Sequence, residues 1–236
     1  MARDPILPLR LDDVAYEAGG RRVVDGVTLT LAAGPRTVIL GPNGAGKSVL
    51  LRLCHGLLAP SAGRVVSNAG DGRRQAMVFQ RPVMLRRSAA ANVDYALKLR
   101  RIPQPLRAAR VAEVLADAGL AALAHQPARQ LSIGEQQRLA LARAWATAPE
   151  ILFLDEPTAS LDPAATRAIE DVIGAIDLSG TKIVMTTHDL GQARRLADEI
   201  IFLHRGRLLE HRPVADFFAA PATPEAAAFI AGRLLW

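Results

Sequence analysis

The chain has 236 residues, of which 50% are hydrophobic, and a formal net charge of +6 that comes almost wholly from arginine. That is enough apolar material for one large buried core and excludes a disordered tail, while the single cysteine, Cys54, excludes an internal disulfide framework and speaks against a cysteine-rich metal site. No run of about 18 uninterrupted apolar residues occurs, so the chain does not cross a bilayer alone and any membrane role is peripheral.

The lone thiol fits a reducing, cytosolic setting, and the start, residues 1–11, is interrupted by Arg3, Asp4, Pro5, Pro8 and Arg10, which argues against a signal peptide. Segments 9–15, 22–24 and 27–31 follow as short β-type pieces broken by Gly19-Gly20 and Asp25-Gly26, predicting a small antiparallel sheet. Runs 37–40, 76–79, 151–154 and 183–186 are apolar throughout, as strands buried on both faces should be. Between residues 80 and 130 the pattern turns helical, with helices at 89–101 and 106–118 separated by Pro103 and closed by Gly119. A further helix starts after Ser132 and runs to about Ala148, and segments 200–203 and 207–210 flank His204-Arg205-Gly206 as a hairpin. The expected class is α/β, a core sheet with an N-terminal antiparallel β-part and an inserted helical lobe. As one domain, about 1–80 and 136–236 form the core and its β-part, and about 81–135 the helical lobe.

The chemistry concentrates at four places. Gly41, Pro42, Asn43, Gly44, Ala45, Gly46, Lys47 and Ser48 match the phosphate-loop spacing G-x-x-x-x-G-K-[ST], after a β-run and before a helical one. Backbone N–H groups and the helix start would face the phosphates of ATP, Lys47 would add a cation, and Ser48 would ligate Mg²⁺. In that helix Leu50, Leu53, Cys54 and Leu57 share one face, which makes Cys54 a core residue. Strand 151–154 then delivers Asp155 and Glu156, pointing to opposite sides, Asp155 for the metal shell and Glu156 for the attacking water. Gln80, ending another strand, is placed to reach the same metal and water, and His188, after the run 182–187, to donate to the γ-phosphate. Finally, Leu131 to Gln137 opens a helix with Ser132 as N-cap and Glu135 three residues on. Ser132 and the Gly134 amide form a second anion site there, one that a facing copy of the chain would use to close its own nucleotide.

In that order, the phosphate loop, Gln80, 131–137, 151–156, Ser160-Leu161-Asp162 and His188 resemble the nucleotide-binding subunit of ATP-binding cassette (ABC) transporters over nearly the whole chain. The resemblance implies the ABC ATPase fold and Mg²⁺-dependent ATP hydrolysis by a head-to-tail dimer beneath membrane-embedded permease subunits. It implies a peripheral position at the cytoplasmic membrane face and an indirect partnership with a substrate-binding protein. It further implies that Tyr16 stacks on adenine, that Gln80 links the metal site to the helical lobe, and that the Asp162 loop communicates across the dimer. The signature departs from L-S-G-G-Q, with Ile133 for the first glycine and Glu135 for glutamine; Ile133 would be strained if its φ had to be positive. Residues 78–88 with Asn92-Val93 look like importers of small oxyanions, tungstate or molybdate and next phosphate, as does the tail around Phe217, Phe218 and Phe229. Arg81, Arg86 and Arg87 fit a docking surface or a plain basic face. A nucleic-acid-acting ABC ATPase is the lesser reading, since there is one phosphate loop and no sustained heptad between it and the signature. On those two features no nucleic-acid partner is expected, and a nucleotide-gated binding module is disfavoured by Glu156 and His188 together.

Overall fold

The computed structural model describes residues 5–67 and 74–233; Arg3 and Asp4 of the interrupted start lie outside them. The chain divides into two compact units, Met1–Gly72 with Lys182–Trp236, and Arg73–Thr181.

The first unit opens with strands β1 (Leu9–Ala18) and β2 (Arg21–Leu31), followed by β3 (Thr37–Leu40), helix α1 (Lys47–His55) and β4 (Ala62–Val66). β1 runs between β2 and β4, antiparallel to both. Burial alternates along β2, the pattern of a sheet with one covered face. The expected break at Asp25-Gly26 is instead a bulge within one continuous strand. From the pair Val14↔Val27 to the pair Tyr16↔Val24, β2 advances one residue more than β1, and Gly26 takes φ +64°. The third strand, β4, gave no alternation to read because four of its five residues are exposed. Helix α1 buries Leu50, Leu53 and Cys54 as expected, with Leu51 beside them, but Gly56 caps it in the left-handed region, so Leu57 falls past its end and is exposed. Burial pushes the Cys54 thiol up to about 12, which makes it an inert core group.

The second unit holds β5 (Gln75–Val78), α2 (Ala89–Leu99), α3 (Gln104–Asp117), α4 (Ile133–Trp145), β6 (Ile151–Asp155) and α5 (Pro163–Leu178). β5 and β6 pair in parallel. β6 is buried throughout, whereas β5 ends one residue earlier than expected and is mostly half-buried, with Phe79 exposed beyond it. The reason is a groove of about 430 Å³ that β5 lines together with Val83, Tyr95 and Leu99. Helix α4 stops at Trp145, short of Ala148, which has φ +47°. α2 likewise stops before Arg101, at φ +58°.

The chain returns to the first unit with β7 (Lys182–Thr186), α6 (Leu190–Leu196), β8 (Glu199–His204), β9 (Arg207–Pro213), α7 (Val214–Ala219) and α8 (Pro224–Ile230). β3 pairs in parallel with both β7 and β8, and β9 closes the set antiparallel to β8. The expected hairpin is there, its two-residue turn Arg205-Gly206 at φ +49° and +80° as the strand twist demands. Phe202 stacks its ring 5.8 Å from Phe217 and 5.4 Å from Phe229, which fastens α7 and α8 to β8. Burying such a ring stabilises by about 2 kcal/mol.

Buried β7 carries one charged residue, Lys182, 2% exposed. Its ammonium donates to the Pro35 carbonyl and lies 3.4 Å from Glu199 Oε1, and Glu199 Oε2 lies 2.9 Å from His211 Nε2. Burial pushes the Glu199 carboxyl up, but hydrogen bonds from His211 and Thr37 and the charges of Lys182 and His211 outweigh it and bring the carboxyl from 4.5 to about 2. A carboxyl lowered by folding stabilises above its unfolded value and loses that contribution as pH falls through the folded one. The Glu199 contribution is thus complete above pH 4.5 and is lost as pH approaches 2. Glu199→Ala, which strands the Lys182 charge, is expected to cost about 3 kcal/mol at neutral pH. Urea unfolding at several pH values checks this, and the deficit should shrink below pH 4.

Candidate functional site

In the first unit the phosphate loop leaves β3 and enters α1. A methyl on Gly41 would lie 2.1 Å from the Leu203 carbonyl oxygen, and one on Gly46 would lie 2.7 Å from that of Val23. Backbone therefore packs directly on backbone from two sides, and only glycine fits. Gly46 is the α1 N-cap and offers no side-chain cap, and the first turn of α1 holds no acid. The helix start thus presents N–H groups and positive potential with no acid in its first turn. Lys47, 5% exposed, donates from Nζ to the carbonyls of Gly41 (2.8 Å) and Pro42 (3.2 Å), so its charge sits over the loop. Ser48 follows, half-buried.

Sequence reasoning overlooked what braces this loop. The Gly206 N–H donates to the Ala45 carbonyl at 3.0 Å, and the Asp25 N–H donates to the Gly206 carbonyl at 2.9 Å. The β8–β9 turn and the β2 bulge thereby clamp the loop from behind, and the only signal for it was the glycine of the hairpin. Beside the loop, Val23, Asn43, Gly44, Arg21 and Arg205 line a cleft of about 410 Å³. Tyr16, half-buried on β1, pairs with Val24, whose Cγ2 is 3.6 Å from the methyl position on Gly46. His188 leaves β7 exposed, at the edge where β3 delivers the loop, because Ile39 and Thr186 are register partners and the Thr187 N–H donates to the Ile39 carbonyl. The first unit thus gathers Tyr16, residues 41–48 and His188 at one end.

In the second unit, Val78 of β5 is the register partner of Leu154 of β6. Gln80 and the acid pair therefore leave adjacent parallel strands at the same edge, where open α/β sheets collect ligands. Asp155 is 3% exposed, whereas Glu156 is half-buried with φ +44°, left-handed for a residue that pays a steric cost there. The Ala159 N–H holds that turn by donating to the Glu156 carbonyl at 3.1 Å.

Helix α4 begins with a complete capping box. Ser132 Oγ accepts from the Glu135 N–H, and the Glu135 carboxylate accepts from the Ser132 N–H at 2.8 Å and from its hydroxyl at 2.7 Å. The hydroxyl hydrogen bond comes first among the causes that hold the Glu135 carboxyl below its usual range. Ile133 is the first helical residue, is 70% exposed and has no positive φ, so its backbone carries no left-handed strain. Gly134 is glycine for packing, since a methyl would meet Ala165 Cβ at 3.0 Å. Gln137, buried, donates to the Phe79 carbonyl at 3.4 Å and ties α4 to the segment that carries Gln80. Asp162 caps α5 by accepting from the Ala165 N–H at 2.8 Å. Ser132, Gly134, Glu135, Ser160 and Asp162 line one cleft of about 610 Å³, with Arg138, which sequence reasoning did not single out.

The first unit thus holds a glycine-packed loop at a helix start, and the second a buried acid followed by a strained one and a helix opened by a capping box. A family model described as ABC transporter matches residues 24–159. The chain belongs to the ABC transporter family. As a member it is an ATP-hydrolysing transport ATPase. It is 42% identical over 209 residues to the tungstate uptake system ATP-binding protein TupC of Peptoclostridium acidaminophilum, covering 86% of this chain and 98% of that one. To the methionine import ATP-binding protein MetN of Caulobacter vibrioides it is 38% identical over 229 residues, covering 91% of this chain and 69% of that one. The structure of cbiO1 from Clostridium perfringens, part of the ABC transporter complex cbiONQ, superposes with a TM-score of 0.81 at 27% identity, over 96% of this chain and 95% of that one. The fold is the ABC ATPase fold, α/β with an antiparallel sheet and inserted helices.

The Gly41 contact yields a direct test. Gly41→Ala drives a methyl into the Leu203 carbonyl and must push the loop outward, so ATP affinity measured by calorimetry is expected to fall at least tenfold, roughly 1.4 kcal/mol. Unchanged affinity would show that loop placement does not govern binding.

Proposed function

We propose that the chain is the ATP-hydrolysing subunit of an importer of a small oxyanion, acting as a head-to-tail pair beneath membrane-embedded permease subunits. The observation that carries hydrolysis is Glu156, held in a left-handed turn directly after buried Asp155. Its carboxylate takes the proton of the attacking water, and Gln80, leaving the neighbouring strand, orients that water. Lys47 and the loop amides bind the β- and γ-phosphates, His188 donates to the γ-phosphate, and Tyr16 stacks on adenine. Ser132 and the Gly134 amide of one copy seal the nucleotide bound by the other.

Ser48 and Asp155 offer hard oxygen donors, which suits Mg²⁺, an ion that takes one or two protein oxygens and completes its shell with phosphates and water. When bound, it neutralises charge on the phosphates.

The permease is proposed to seat on the groove of the second unit, where Val83 and Leu99 are 73% and 67% exposed and Phe79 adjoins Gln80. Arg81, Arg86 and Arg87 are exposed in the neighbouring sequence, and Arg87 stacks 5.1 Å over the ring of Tyr95, which lines the groove. Among the described residues no helix is long and apolar enough to cross a membrane. On this proposal a peripheral position at the cytoplasmic face comes from the permease contact, and a substrate-binding protein joins only through the permease.

For the cargo, support comes from the tungstate relative, which this chain covers almost end to end, and from residues 78–93. The methionine relative supports the competing cargo. Reconstitution with the cognate permease and binding protein decides it: tungstate or molybdate, and next phosphate, should stimulate turnover where methionine does not. For the chemistry, Glu156→Gln is expected to lower ATP turnover about a hundredfold or more and to trap an ATP-bound pair visible by sedimentation. A variant with native rate and association would remove Glu156 from the role of base.

A further inference from the structure

Ser132 has one hydroxyl proton, and Glu135 holds it. Oγ lies 2.7 Å from Glu135 Oε2, the same oxygen that accepts the Ser132 N–H. Both Glu135 oxygens are acceptors when ionised, so the hydroxyl is the donor in this bond. A terminal phosphoryl oxygen also only accepts. The hydroxyl therefore serves the carboxylate or a phosphate, never both with its single proton.

The charge around it acts in the same direction. The cleft that Ser132 lines holds two carboxylates, Glu135 and Asp162, against one guanidinium, Arg138. Arg138 donates to the carbonyls of Ala118 at 3.0 Å and Gly119 at 3.3 Å, which engages part of its guanidinium. The ionised side chains that a triphosphate would meet in this cleft are thus net negative.

We propose that Glu135 is a positioning residue that withholds the Ser132 hydroxyl from the nucleotide and so raises the ATP concentration at which two copies close. This rests on the reading that Ser132 seals the partner's nucleotide. Closure requires the hydroxyl to turn from carboxylate to phosphate, a charge-assisted bond exchanged for another. Glutamine at this position keeps the capping box, because its amide oxygen still accepts the Ser132 N–H. It also removes the charge and adds an N–H₂ donor that can face a phosphate. The Glu135→Gln exchange thereby separates the electrostatic role from helix capping.

The test uses the full chain with Mg²⁺ and the β,γ-imido analogue of ATP, pairing being followed by sedimentation velocity across analogue concentrations. Glu135→Gln is expected to reach half-maximal pairing at about tenfold lower analogue concentration than the native chain. The gap should narrow as salt is raised, because repulsion across an exposed cleft is screened; a capping defect would show no such dependence and would weaken pairing. Ser132→Ala is expected to lose pairing. If it does so while Glu135→Gln pairs no better than native, the positioning role is overturned and the seal stands. If Ser132→Ala pairs like the native chain, the seal fails and the positioning role with it.

Discussion

Direct contact of backbone with backbone at the phosphate loop is the constraint on which the first unit depends. Gly41 lies against the Leu203 carbonyl and Gly46 against that of Val23, so the loop is fixed by main chain on either side. Other features of the unit follow from that demand. β3 is buried throughout because it must deliver Gly41 from a rigid base, and the β8–β9 hairpin turns tightly so that the Gly206 N–H reaches Ala45. The β2 bulge lets the Asp25 N–H hold the Gly206 carbonyl in turn. Asp25 also pairs with Arg22 and Arg207 on the surface, a network of small individual value that lies directly over the clamp.

The second unit works by strain and capping instead. Glu156 and Ser160 both adopt left-handed backbone, at φ +44° and +64°, within one short turn between β6 and α5. Each such residue costs about 1 kcal/mol or more and is kept only where its surroundings over-determine it. Here buried β6 on one side and the Asp162 cap of α5 on the other do so. The same turn brings Asp162 to the cleft that Ser132 lines. One turn thus supports both Glu156 and a wall of the cleft proposed to face the second copy.

Much of this was legible in the residues. Strand 37–40 and the phosphate loop are specified by local pattern alone, and the capping box at Ser132 could be read from spacing because its partners are three residues apart. What escaped was non-local or lacked periodicity. Exposed β4 carries no alternation, and Lys182 in a buried strand is intelligible only once Glu199 and His211 are seen across the sheet. Gly134 reads as an anion-binding glycine, yet its tightest constraint is a helix–helix approach to Ala165. Asn92, noted only for family resemblance, shapes the loop before α2, because its side chain accepts from the Leu85 N–H at 2.9 Å and donates to the Ser88 carbonyl at 2.9 Å. Resemblance marked the position, and the hydrogen bonds supply the physical reason.

In the proposed pair, one copy grips ATP through Lys47 and its loop while the other copy closes it through Ser132. Mixing two inactive chains measures this directly: a Lys47→Ala chain, which retains a sound Ser132, and a Ser132→Ala chain, which retains a sound phosphate loop. Each alone should hydrolyse little ATP, and the mixture should recover turnover, because the mixed pair contains one complete site built from both copies. If the mixture stays as inactive as its components while forming pairs, the two elements do not act on a shared nucleotide across copies, and the account is contradicted.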